Sequence, residues 1–335
     1  MVDATHISFP AKDRSYFSLL KKEIHQKLLE LGMETSRVSE VDIIVAELTS
    51  NLFKYADEGE ILFGNFTENG IPYVELISLD KGPGMMRTSR MLQDGITTGS
   101  SLGMGLGSIK RLSDTFDIYS QVGWGTIILS RIYLGSKPSK ENKFIIRPLV
   151  VSKPGEKVSG DGFICRLYND GFKVMLGDGL GHGPEANKAV NEAAGIFKVY
   201  PRSSPTETLR FVHNSIKKTR GMVANITQYD STNKEWVSSG IGNIAGKWIG
   251  PVSSKNQMSY NGIVGHNIPN TMNDQRYSSS EYNQLVLCSD GITTRWEISK
   301  YPGILKNDLS ILCAAIYKDH ARRTDDMSVI VIKVE

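Results

Sequence analysis

Thr97-Thr98-Gly99-Ser100-Ser101-Leu102-Gly103-Met104-Gly105-Leu106-Gly107-Ser108-Ile109-Lys110-Arg111-Leu112 organises the first half of this chain. Gly103, Gly105 and Gly107 alternate directly ahead of Ile109, Leu112 and Phe116, an apolar run at helical period. Glycine lets a ligand approach the main chain. A helix that starts just after such a loop aims its free N–H groups and the positive end of its dipole at the loop, which favours a phosphate. Taken alone, the stretch reads equally well as a flexible Gly/Ser turn with no ligand. No Gly-Lys-Ser/Thr closes it, so it is not a Walker A loop, and it does not follow a strand in the dinucleotide-binding manner.

Working outward, the 335 residues are enough for two domains of ~100–200 residues each. A hydrophobic content of 40% against 22% charged residues lets each half bury a core. The net charge of +3 is nearly balanced and no Lys/Arg block occurs, so nucleic-acid binding has no electrostatic footprint. Cys165, Cys288 and Cys313 are scattered without a CxxC pair, which supports neither a disulfide framework nor a zinc ribbon. Met1 to Lys12 lacks the apolar run of a signal peptide, and no stretch approaches the ~18 apolar residues of a membrane span. The expectation is a cytoplasmic protein with no membrane partner.

Upstream of the glycine stretch, Arg14 to Leu31 carries helix-period apolar residues and stops at Gly32. Ser39 is placed to cap a second helix over about Glu40 to Ala56. Glu47 and Asn51 share one face of it, four residues apart. A carboxylate beside a carboxamide can hold a divalent ion and orient a nucleophile, although any solvated polar pair has the same spacing. Glu60 to Phe66 and Ile71 to Leu79 read as a hairpin around Asn69-Gly70. The second strand runs into Asp80-Lys81-Gly82-Pro83-Gly84, where a carboxylate at a strand end can meet an amino group while the turn hugs a ring. Downstream, Phe116 to Gln121 and Ile127 to Tyr133 flank Trp124-Gly125-Thr126, with a hydroxyl at Thr126.

These four pieces occur in one order, and the ordered set resembles the GHKL ATP-binding (Bergerat) fold of histidine kinases, gyrase and Hsp-type chaperones. It is most similar to the small serine/threonine kinases of the RsbT/RsbW type, which act on anti-sigma antagonists; Gly103 to Phe116 is most like the RsbT branch. The resemblance covers about residues 1–134. It implies Glu47 as general base for a protein hydroxyl, Asn51 on Mg²⁺, and Asp80 on the adenine amino group. It further implies Gly82 and Gly84 as the purine wall, Gly103, Gly105 and Gly107 as the phosphate cradle, and Thr126 closing the adenine side. Lys54 and Lys110 are candidate phosphate contacts that read equally well as surface lysines.

Gly135 to Asn142 is a polar Gly/Ser/Pro linker, and a new β pattern starts at Phe144. Four acidic motifs follow, each at a strand terminus: Ser159-Gly160-Asp161-Gly162, Asp178-Gly179-Leu180-Gly181-His182-Gly183, Ser289-Asp290-Gly291 and Asp325-Asp326-Met327-Ser328. Strand ends can gather distant carboxylates, and hard oxygen ligands suit Mg²⁺ or Mn²⁺. One such Asp is an ordinary turn residue. Four in this order resemble the metal-dependent PPM serine/threonine phosphatases of the SpoIIE/RsbX branch. That resemblance covers about 143–335 and implies a dinuclear Mn²⁺ or Mg²⁺ centre held by Asp161, Asp178, Asp290, Asp325 and the Gly179 carbonyl. Asp326 is implied as a more distant or weak ligand, and His182 reads as structural rather than as a general acid. Gly162 and Ser328 depart from residues usual in such relatives without removing a ligand.

The expected architecture is α+β: a GHKL α/β sandwich over residues 1–137, then a PPM-type β-sandwich flanked by helices over 138–335. The expected function is a bifunctional bacterial partner-switching regulator. Its kinase half uses ATP and Mg²⁺, its phosphatase half uses two Mn²⁺ or Mg²⁺, and both act on a STAS-domain antagonist or stressosome-type protein. The alternatives are a first half that only sequesters a partner with ATP bound, or one that senses nucleotide allosterically for an active phosphatase.

Overall fold

The structure, a computed structural model, describes residues 5–11, 14–56, 58–86, 105–138 and 143–335. Thr97 to Met104, Gly103 included, lie outside the described residues. The chain forms two compact units: His6–Glu141 with Tyr301–Ala315, and Asn142–Lys300 with Ile316–Glu335. Tyr301–Ala315 therefore belongs with the first unit, whereas the motif reading assigned all of 138–335 to one domain.

The first unit is built on an antiparallel sheet in the order β1 (Ile7–Pro10), β2 (Gly59–Glu68), β3 (Ile71–Asp80), β5 (Gly125–Tyr133), β4 (Thr115–Gln121). Three helices cover one face: α1 (Arg14–Glu30), α2 (Thr35–Tyr55) and α3 (Gly105–Leu112). Their apolar stripe, including Leu20, Ile24, Leu28, Val41, Ile44, Val45, Leu48 and Ile109, packs on Ile61, Phe63, Val74, Leu76, Ile128 and Ile132. Each fully buried Leu or Ile there contributes roughly 1.5–3 kcal/mol relative to exposure. Strand alternation sends Glu75 and Arg131 to the other face, where they meet Asp308 and Ser310.

Local chemistry sets the positions that matter. Asn69 and Gly70 have φ of 50° and 80°, the positive pair that a two-residue hairpin turn needs. That turn fixes the register Glu68↔Ile71 through Gly59↔Asp80 and so delivers Asp80 to the far end of β3. Helix α2 begins at Thr35, earlier than expected, with no side-chain cap from Glu34. Ser39 lies inside it and donates to the Thr35 carbonyl instead of capping. Helix α3 starts at Gly105, so Gly105 and Gly107 form its first turn rather than a loop ahead of it.

The second unit has two antiparallel sheets. One runs β13 (Gln275–Ser278), β10 (Glu235–Ile241), β9 (Met222–Asp230), β8 (Gly171–Gly179), β7 (Asp161–Tyr168). The other runs β12 (Ser254–Asn256), β11 (Ala245–Ile249), β14 (Gln284–Cys288), β15 (Met327–Val334), β6 (Phe144–Val151). Pro148 sits in β6, an edge strand where a missing N–H is tolerated. Trp236 of β10 meets Trp248 of β11 at 5.4 Å, and Phe172 of β8 meets Phe144 of β6 at 4.8 Å, so the two sheets face each other across an aromatic core. Helices α4 (Pro184–Val199) and α5 (Pro205–Ser215) cover the first sheet through Val190, Ala193, Phe197, Leu209 and Val212. Ser204 and Glu207 form a reciprocal capping box at α5. The motif reading has no element between Gly291 and Thr324; the structure has helix α6 there (Leu309–His320).

Candidate active sites

In the first unit, α2 and α3 bring Glu47, Asn51 and Gly105 together. A Cβ built on Gly105 would lie 2.7 Å from Glu47 Oε2 and 3.7 Å from Asn51 Oδ1. The start of α3 thus faces the polar pair of α2 closely enough that a side chain on Gly105 would displace the Glu47 carboxylate. Gly107 is buried in the same turn. Among the described residues Asn51 Nδ2 is buried without a hydrogen-bond partner, and a polar ligand would satisfy it. Lys54 and Lys110 are both exposed.

Asp80 anchors the other end of this site. Its Oδ1 accepts the Gly82 N–H at 2.7 Å and the Thr126 N–H at 3.1 Å. The turn after β3 lies against the end of α2, because a Cβ on Gly82 would lie 2.3 Å from the Tyr55 carbonyl oxygen. Gly84 has φ of +68° and sits so close to β4 that a Cβ would lie 1.8 Å from the Gln121 oxygen, which only glycine permits. The Thr126 hydroxyl is bonded to Ser120 Oγ at 2.9 Å, so its backbone N–H rather than its hydroxyl contacts Asp80. Tyr55 follows Asn51 by one helical turn, so the two groups of residues are neighbours along α2.

In the second unit, the β7–β8 register places Asp161 directly opposite Asp178, with Gly179 one residue further along the strand. Asp161 is 1% exposed. Its Oδ2 accepts from Ser289 Oγ at 2.6 Å and Ser328 Oγ at 2.7 Å, whereas its Oδ1 is buried with no partner. Burial pushes the Asp161 carboxyl up to about 7; the two serine hydroxyls oppose this, and the charges of Asp326 and Asp290 add to it. Asp178 is raised well above the usual carboxylate range, first by burial and then by Asp161, Asp290, Asp325 and Asp326. Five carboxylates therefore act on one another at the ends of β7, β8, β14 and β15.

The neighbours differ in role. Asp290 is exposed and accepts from Asn243 Nδ2 at 2.9 Å. Asp325 accepts the following N–H, that of Asp326, at 2.9 Å. Asp326 spends both oxygens on backbone amides, those of Lys153 and Gly160, each at 2.8 Å. It works as a clamp joining the segment ahead of β7 to the segment ahead of β15. His182 Nδ1 lies within hydrogen-bond distance of Glu156 Oε1, at 2.6 Å. Among the described residues, no three His, Cys, Asp or Glu side chains form a ready-made coordination shell. The all-oxygen donor set and the orphan Asp161 Oδ1 fit a hard divalent cation. The motif reading missed Asn243 and the serine hydroxyls as partners of the acids; Ser289 and Ser328 each lie within three residues of one in the sequence.

The sheets and sites define a chain of two units that mix helices and antiparallel sheets, one with a glycine-fronted polar helix face and one a β-sandwich with an acidic end. No protein-family model matches the chain. Serine/threonine-protein kinase RsbT of Bacillus subtilis (strain 168) is 34% identical over 99 residues, which are 30% of this chain and 74% of RsbT. The N-terminal part of the chain belongs to the RsbT serine/threonine-protein kinase family. Among solved structures, RsbX in complex with magnesium matches with a TM-score of 0.52 at 17% identity, over 58% of this chain and 98% of RsbX. A chain from a structure of the bacterial stressosome, described as a modular system adapted to control secondary messenger signaling, matches with a TM-score of 0.53 at 23% identity, over 57% of this chain and all of that one. These matches show a shared fold. Among the described residues, no helix is long and apolar enough to cross a membrane.

Proposed function

We propose that this protein is a bifunctional partner-switching regulator of the cytoplasm. In this reading, residues 1–137 are an ATP-dependent serine/threonine kinase of GHKL type and 138–335 a metal-dependent phosphoserine/phosphothreonine phosphatase. The observation that carries it is that each unit gathers its motif residues: Gly105 lies against Glu47 and Asn51 in one, and Asp161 stands opposite Asp178, with an Oδ1 that has no partner among the described residues, in the other.

In the kinase unit, Asn51 would hold the Mg²⁺ of ATP through its Oδ1, and the bound ion would supply neutralisation of phosphate charge. The N–H groups of Gly105 and Gly107 at the start of α3 receive the phosphates. Asp80 takes the adenine amino group, with Gly82, Gly84 and Thr126 around the ring. Glu47 accepts the proton of the partner's serine or threonine hydroxyl as that oxygen takes the γ-phosphoryl group, leaving ADP. In the phosphatase unit, Asp161, Asp178, Asp290, Asp325 and the Gly179 carbonyl would hold two Mn²⁺ or Mg²⁺, which would supply charge neutralisation and an activated water. Asp326 keeps the loops that carry these ligands together, and His182 stays structural.

The kinship with RsbT and the fold match to a stressosome structure support a STAS-domain or stressosome-type protein as substrate for both halves. The test is to incubate the full chain with γ-labelled ATP and candidate STAS-domain proteins, with and without Mn²⁺. Label transfer to a partner and its Mn²⁺-dependent release support the proposal. Dephosphorylation that responds to ATP with no label transfer replaces the kinase half with a nucleotide sensor.

A further inference from the structure

Two serine hydroxyls converge on a single oxygen of Asp161. Ser289 follows β14 and Ser328 lies in β15, both in one sheet, while Asp161 opens β7 in the other. Both serines are fully buried. The direction of the Ser289 bond is fixed by the backbone: Ser289 Oγ accepts the Ser328 N–H at 3.0 Å, leaving its one proton for Asp161 at 2.6 Å. Ser328 Oγ donates to the same Oδ2 at 2.7 Å. A carboxylate has two oxygens, and here Oδ2 accepts two donors while Oδ1 is buried with no partner among the described residues. The Asp161 backbone N–H is also tied, to Ser159 Oγ at 3.0 Å, so both ends of the residue are held.

We propose that Ser289 and Ser328 are positioning residues that lock the Asp161 carboxylate so that Oδ1 alone is presented to a divalent cation. This rests on the phosphatase reading of the second unit. The hydroxyls touch neither substrate nor cation; they orient a ligand and hold its second oxygen out of the coordination shell. Losing such an outer partner typically weakens metal binding about 10–100-fold. The lock also spans the two sheets at the acidic end of the sandwich, so it acts on ligand position without any residue of the kinase unit.

The test is calorimetric titration of the full chain with Mn²⁺ at fixed pH, with circular dichroism verifying the fold. Wild type, S289A, S328A, D161N and the isosteric pair S328T and S328V are compared. The expected result is a Kd about 10–100-fold weaker for S289A, S328A and S328V. S328T should stay within about 3-fold of wild type, because it keeps the hydroxyl with the same added methyl as S328V. S328T and S328V binding equally would overturn the lock, as would unchanged binding in both folded alanine variants. D161N binding Mn²⁺ like wild type would instead overturn the phosphatase-site reading on which the lock depends.

Discussion

Asp308→Ala should damage the first unit although Asp308 lies in the C-terminal half of the chain. Arg131 is 1% exposed and spends its whole guanidinium on partners. Its Nε donates to Glu75 at 2.5 Å, while Nη1 and Nη2 donate to the two oxygens of Asp308 at 2.6 and 2.7 Å. Burial alone would raise the Glu75 carboxyl, yet the Arg131 charge and His6 hold it down to about 2. The alanine variant leaves a buried guanidinium with Glu75 and Ser310 only. Removing one partner of a buried ion pair costs about 3–5 kcal/mol. The Asp308 side chain is 19% exposed, so water can reach the vacated position and the lower end of about 3 kcal/mol applies. For a unit of this size, 1 kcal/mol corresponds to about 2–4 °C, so its calorimetric transition should fall by about 6–12 °C. In an Arg131→Met background, Asp308→Ala should cost far less, because the guanidinium that Asp308 pairs with is already gone. A shift below about 2 °C in the single variant, or an equal cost in both backgrounds, would refute the reasoning.

Gly105→Ala should leave the fold intact, because Gly105 is the first residue of α3 and the nearest atom its Cβ would meet is the end of a flexible side chain. Its Cβ would fall 2.7 Å from Glu47 Oε2, which must swing away. Phosphoryl transfer should then drop about 10-fold or more while the melting temperature holds, the two read by label transfer and calorimetry. The raised Asp161 carboxyl makes the metal-free protein sensitive to pH. Its native state keeps a proton up to about pH 7 that the unfolded chain releases near 3.8, so stability should fall as pH rises through that window. The urea midpoint in chelator should be lower at pH 8 than at pH 5, and adding Mn²⁺ at pH 8 should restore it; a rising midpoint contradicts the assignment. Ser204→Ala removes the α5 capping box and should cost about 1 kcal/mol in the second unit by denaturant titration, with phosphatase activity unchanged.

Much of this was legible in the sequence because local chemistry fixed it. Asn69-Gly70 could only turn a hairpin, and that turn set the register carrying Asp80 to its strand end. Asp161 and Asp178 read as strand-terminal acids, and the sheet does place them opposite each other. The start of α2 was misplaced because Ser39 has the side chain of a cap yet bonds back to the Thr35 carbonyl within the helix. The most consequential omission was Tyr301–Ala315, whose place beside β3 and β5 depends on a long-range charge pair, Arg131–Asp308, that no local pattern announces. The serine hydroxyls on Asp161 were hidden for a related reason: Ser289 and Ser328 lie far from it in sequence and reach it only when the two sheets stack.

The most direct test of two independent centres on one chain is a paired assay of Asp178→Asn and Glu47→Gln on the same STAS-domain phosphoprotein. Asp178→Asn should abolish Mn²⁺-dependent dephosphorylation and leave ATP-dependent labelling intact, and Glu47→Gln should do the reverse. If either substitution removes both activities from a folded protein, the assignment of one chemistry to each unit is contradicted.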